Sequence, residues 1–184
     1  AFIVYMDTSN TTPTWASYYG GESLDYGTAI TFDPNGDIVL AGGTFSSLGM
    51  ADLGTFAPNG YQSAIAGDYD AYFAKISPLS QRLWGSYFGG AQYDFANAID
   101  IANDQIVMGG FTTSSGLYRA GGIGQTGSAD VSYAGGVYDG FVTKFNRDTL
   151  VTINQPYTDT LVCVGGTLYV DFTTNTSFQA GNNF

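Results

Sequence analysis

The side chains able to do chemistry in these 184 residues are mostly carboxylates. Asp25, Asp70, Asp94 and Asp139 recur at matching places, each next to an aromatic residue, which invites a paired-carboxylate reading. An aspartate repeated in this way is better explained as a turn cap that accepts backbone N–H groups, because catalytic residues seldom recur in every repeat. Asp33, Asn35 and Asp37 place side-chain oxygens at alternate positions, as a calcium loop does, but the Gly-then-Glu continuation of an EF-hand is missing. Calcium is therefore the one metal the sequence leaves open. With no histidine and a single cysteine, Cys163, zinc centres and Ser-His-Asp chemistry are excluded, and the chain reads as no enzyme.

Aromatic side chains are the other candidates. Trp15, Tyr18, Tyr19, Trp84, Tyr87 and Phe88 resemble a carbohydrate-stacking platform, but their period-two placement in repeated segments favours packing between sheets. Phe56, Tyr61, Tyr118 and Tyr133, with Arg119, stand in Gly/Ser/Ala-rich stretches and are the candidate contacts to a ligand or partner. The glycines of Gly121-Gly122-Ile123-Gly124 precede no helical pattern, so no dinucleotide cofactor is implied.

The elements that must position these residues are short strands. An aromatic share of 16% beside 26 glycines fits strands alternating with tight turns, an all-β composition. The net charge of −11 argues against nucleic acid as a partner. It is consistent with bound divalent cations or simply with solubility for a chain only 11% charged. No apolar run is long enough to form a transmembrane segment.

Internal repetition organises the chain. Trp15-Ala16-Ser17-Tyr18-Tyr19-Gly20-Gly21 returns as Trp84-Gly85-Ser86-Tyr87-Phe88-Gly89-Gly90, a shift of 84 − 15 = 69. Asp25-Tyr26 returns as Asp94-Phe95, and Ile38-Val39-Leu40-Ala41-Gly42 as Ile106-Val107-Met108-Gly109-Gly110. Gly67 to Ile76 returns as Gly136 to Phe145, and Ala1 to Met6 aligns with Ala71 to Ile76. Each repeat is expected to hold four antiparallel strands: 15–19, 26–32, 38–41 and 69–76 in the first, and 84–88, 95–101, 106–109 and 138–145 in the second. The expected frame is a last strand and linker at 1–13, repeats at 14–77 and 78–147, and a different module from 148 to 184. Long loops at 45–68 and 112–137 are where specificity is expected. Four antiparallel strands per repeat is the pattern of a β-propeller blade.

The order W-x-S-Y-[YF]-G-G, D-[YF], A-I, D-P-N-G-D-I-V-L-A-G and Y-D-[AG]-[YF]-[FV]-x-K resembles the SBBP family of bacterial β-propeller repeats over roughly residues 1–147. The second repeat departs from it by lacking the Pro-Asn-Gly turn. The resemblance implies blades of a secreted or cell-surface multidomain protein, of the kind found in Bacteroidota beside immunoglobulin-like modules and type IX secretion signals. Residues 160–172 alternate like two strands about Gly165-Gly166 and resemble the start of such a module, a β-sandwich too short here to be whole. The chain is accordingly expected to be a fragment of a longer protein.

Three functions follow as expectations. The first is a non-catalytic extracellular binding or adhesion module whose propeller loops meet a protein or glycan surface ligand. The second is a stalk or filament subunit that packs against sister subunits of a surface assembly. The third is part of a propeller enzyme whose site lies in other blades.

Overall fold

A computed structural model describes residues 1–9, 11–51, 62–102, 105–115, 130, 132–146, 152–153 and 172–173. The chain divides into two units, Ala1–Arg147 and Asp148–Phe184. The described part of the second unit is the antiparallel pair β10 (Thr152–Ile153) and β11 (Phe172–Thr173). Most of the segment expected to open an immunoglobulin-like module, 160–171, lies outside the described residues.

Among the described residues the first unit has nine strands: β1 (Phe2–Met6), β2 (Pro13–Tyr18), β3 (Asp25–Phe32), β4 (Ile38–Thr44), β5 (Asp70–Ile76), β6 (Arg82–Phe88), β7 (Asp94–Ala102), β8 (Gln105–Thr112) and β9 (Asp139–Asn146). All named strand pairs are antiparallel, and no strand is replaced by a helix. No helix among the described residues is long and apolar enough to cross a membrane. Pro34-Asn35-Gly36 turns β3 into β4, with the Gly36 N–H donating to the Asp33 carbonyl at 2.9 Å and the Asp33 N–H to the Asp37 carbonyl at 2.8 Å.

The strands form three sheets: β1-β2, β3-β4-β5-β6 and β7-β8-β9. Sheet and sequence repeat are out of phase. The similarity runs from one tryptophan strand to the next, whereas the tryptophan strand β6 is the last member of the sheet that begins at Asp25. Local geometry explains this. Ser77 and Gln81 close a tight turn between β5 and β6, the Ser77 N–H donating to the Gln81 carbonyl at 2.8 Å. The five residues 89–93 after β6 instead carry the chain into the next sheet.

The repeats share register down to their irregularities. Tyr72 faces Tyr87 across β5–β6, and Phe2 faces Tyr18 across β1–β2, with a register shift after Lys75 in one pair and after Tyr5 in the other. The β3–β4 and β7–β8 pairs likewise slip at Gly27/Ala29 and Ala96/Ala98. The slip frees Thr28, whose hydroxyl shares its one proton between the Ala96 carbonyl of the next sheet at 2.6 Å and the Ala41 carbonyl of its own at 3.1 Å.

The middle sheet is covered on both faces, so β4 and β5 are buried along their whole length. On one side Ile38, Leu40, Tyr72, Ala74 and Tyr87 pack with Ile3 and Tyr19 of the first sheet. On the other, Val39, Phe73, Trp84 and Phe88 pack with Ile99, Ile106, Met108 and Phe145 of the third. Each large apolar side chain buried this way contributes about 1.5–3 kcal/mol, so these two interfaces dominate the stability of the unit. Ring contacts repeat across them: Tyr19 on Tyr72 at 5.3 Å and Phe88 on Phe141 at 5.4 Å. The tryptophan-strand aromatics thus serve mainly as packing, with Trp84, Tyr19, Tyr87 and Phe88 buried, while Tyr18 is exposed and Trp15 half-buried.

Candidate functional site

Where β3 and β5 begin and β4 ends, the sheets are braced by aspartates. Asp25 accepts from the Thr44 hydroxyl at 2.5 Å, the Ser46 hydroxyl at 3.2 Å and the Gly21 N–H at 2.8 Å. Asp94 repeats the arrangement with the Thr112 hydroxyl, the Ser114 hydroxyl at 2.8 Å and the Gly90 N–H at 2.7 Å. Asp70 accepts from the Ala66 N–H at 2.8 Å, the Gly67 N–H at 3.2 Å and the Gln62 amide at 2.9 Å, and Asp139 accepts from the Ala134 N–H. All four aspartates therefore cap turns, as their repetition predicts, and their oxygens are engaged in holding the starts and ends of the long loops. Burial raises the Asp94 carboxyl above its ordinary range. For Asp70, burial first and the Asp94 charge second raise it to about 6.

Gly89 is confined by this brace. A Cβ there would lie 2.4–2.8 Å from the Asp70 carboxylate atoms, so no larger residue fits without displacing the cap.

The same end carries a cleft of about 290 Å³ whose seven lining residues are all aromatic. Tyr26 enters from the start of β3, Phe95 from β7 and Phe111 from the end of β8, while Phe45, Tyr69, Tyr93 and Tyr138 come from the connections. The rings form a continuous run. Phe45 lies 4.2 Å from Tyr69, Tyr69 stacks on Phe95 at 5.6 Å, Phe95 on Phe111 at 5.2 Å, and Phe111 meets Tyr138 at 4.5 Å. Tyr69 is fixed through its backbone, its carbonyl accepting the Asp94 N–H at 2.9 Å. Burial raises its hydroxyl pKa well above the usual phenol value, so this wall of the cleft is neutral. Space for Tyr69 and Phe95 comes from Gly43, where a Cβ would lie 2.3 Å from the Tyr69 hydroxyl and 2.4 Å from the Phe95 ring. In the second repeat Phe111 occupies the position of Gly43. Tyr26, Tyr93 and Tyr138 remain substantially exposed at the rim.

Of the residues singled out from sequence, the structure describes Tyr133, Asp33, Asn35 and Asp37. Phe56, Tyr61, Tyr118 and Arg119 are outside the described residues. Tyr133 is half-buried, its hydroxyl donating to the Gly136 carbonyl at 2.7 Å, and it does not line the cleft. Asp33, Asn35 and Asp37 sit in the hairpin at the far end of β3. There the Asp33 and Asp37 carboxylates converge on the Lys75 ammonium at 3.0 and 3.1 Å, and Asp33 also accepts the backbone N–H groups of Asn35 and Asp37. A lysine thus supplies the positive charge between the oxygens weighed for calcium. No group of three or more metal-ligating side chains occurs among the described residues. Burial opposes the Asp33 charge, but Lys75 and the two N–H donors outweigh it and hold the carboxyl below its ordinary value.

No family model matches the chain, and no curated protein matches it.

Proposed function

We propose that this chain is a non-catalytic extracellular binding module, an arc of a β-propeller of the SBBP type from a secreted or cell-surface protein, and that it binds through the aromatic cleft. The blade reading is supported by the four-stranded antiparallel middle sheet, the face-to-face stacking of successive sheets and their shared register. The binding reading rests on one observation, a cleft walled entirely by aromatic rings with no carboxylate in its lining. Aromatic faces stack on the C–H face of a sugar ring, and rim tyrosines supply hydroxyls for its polar edge. The volume suits one terminal sugar. The net charge of −11 disfavours sialylated or sulfated glycans, so a neutral glycan is the preferred ligand.

Glycan-array screening followed by calorimetry tests this, with Tyr93→Ala and Tyr138→Ala as rim variants. Each is expected to weaken binding about tenfold, since one stacked ring contributes about 1–1.5 kcal/mol. Affinity unchanged in both variants, or no glycan bound at all, excludes the cleft as the glycan site.

A further inference from the structure

The two outer sheets each leave exposed a face whose repeat equivalent is buried in the middle sheet. On β1-β2 the outward residues are Phe2, Val4, Met6 and Tyr18, and their equivalents Tyr72, Ala74, Ile76 and Tyr87 are packed against the neighbouring sheet. Tyr18 is 91% exposed where Tyr87 is 1%, and Phe2 is 73% exposed where Tyr72 is 0%. On β7-β8-β9 the outward Val142 is 81% exposed where its equivalent Phe73 is 0%. Gly109, its partner in register, and Val107, the partner of Lys144, correspond to buried Ala41 and Val39. One exposed face therefore corresponds to the lower side of the middle sheet and the other to its upper side.

Two faces of this kind are complementary to each other rather than each to itself. Within the chain, the upper side of one sheet receives the lower side of the next twice, with ring contacts at equivalent positions, Tyr19 with Tyr72 and Phe88 with Phe141. We propose that a second copy of this chain docks head-to-tail, the outer face of its β1-β2 sheet stacking on the outer face of β7-β8-β9 and continuing the internal sheet stack. The internal contact of Phe73 with Phe145 at 4.5 Å assigns the new one: Val142 of one copy meets Met6 of the other. Such an interface is heterologous, so it leaves a free face at each end and propagates into a ring or a filament.

Sedimentation velocity on the full chain tests this, with two variants that each block one face: Phe2→Lys combined with Tyr18→Lys, and Val142→Lys. These positions are exposed, so both variants should keep the wild-type circular dichroism and melting temperature. The wild type is expected to grow beyond a dimer as its concentration rises to about 200 µM, a range that reveals even a Kd of about 0.1 mM. Each variant alone should sediment as a single chain, and a mixture of the two should form a dimer and nothing larger. A wild type that stays monomeric means that something other than a second copy covers these faces, and overturns the proposal. So does a face-blocked variant that still dimerises by itself, because the contact is then face-to-same-face.

Discussion

The two ends of β5 bury charge in opposite ways. Near its C-terminal end Lys75 is enclosed with two carboxylates, so each acid there has a counter-ion, though the cluster as a whole keeps one negative charge. At its N-terminal end Asp70 is enclosed with neutral N–H donors only, and the nearest charge acting on it is a second acid, Asp94. The same residue type therefore shifts in opposite directions along one sheet, Asp33 below its ordinary value and Asp70 above it. Hydrogen bonds satisfy a buried carboxylate but do not replace a counter-ion.

Removing the counter-ion breaks the comparison most severely. Lys75→Met leaves two carboxylates facing each other at the hairpin and is expected to cost about 3–5 kcal/mol in chemical denaturation. Asp70→Asn turns one acceptor oxygen into a donor that faces N–H groups, and a loss of about 1–3 kcal/mol is expected.

The pH response separates the two ends. The Asp70 carboxyl is raised to about 6 in the folded chain, so its contribution to stability is fully present below about 4 and is lost as pH rises through about 6. Asp33 is lowered, so its contribution is present above about 4 and is lost as pH falls through its folded value. Denaturation curves collected between pH 3 and 7 should therefore lose part of their slope between 4 and 6 in Asp70→Asn, the raised Asp94 carboxyl keeping the rest, and lose part of the acid-side fall in Asp33→Asn. Equal pH profiles for both variants contradict the contrast.

The smallest change lies between the two ends. The Tyr72 hydroxyl is fully buried with no hydrogen-bond partner among the described residues, and burial raises its pKa far above the ordinary phenol value. Its repeat equivalents are Phe2 and Phe141, which carry no hydroxyl. Tyr72→Phe should stabilise the chain by about 1 kcal/mol, read as a higher denaturation midpoint with unchanged slope.

Strand positions and aspartate caps were legible from sequence because both are local. Period-two aromatics along Trp84 to Phe88 mark a strand, the recurrence of Tyr69 to Ile76 as Tyr138 to Phe145 marks another, and a recurring Asp beside an aromatic marks a cap. Sheet phase was not legible, since similarity between Trp15 and Trp84 says nothing about which neighbour each strand joins. The cleft escaped for a related reason: Tyr26, Phe45, Tyr69, Phe95 and Phe111 come from separate segments and share no spacing. The available signal was the recurrence of Tyr26 as Phe95 and of Tyr69 as Tyr138. Lys75, a charge inside an apolar strand, was visible, but its partners lie about forty residues earlier in the hairpin.

The exchange of Gly43 for Phe111 bears on valency. Where the first repeat leaves room for Tyr69 and for Phe95 of the next sheet, the second places its own ring at the equivalent position, so the scaffold is periodic but its recognition surface is not. Binding stoichiometry should then count chains and not repeats, and any gain in avidity comes from clustering copies on a surface.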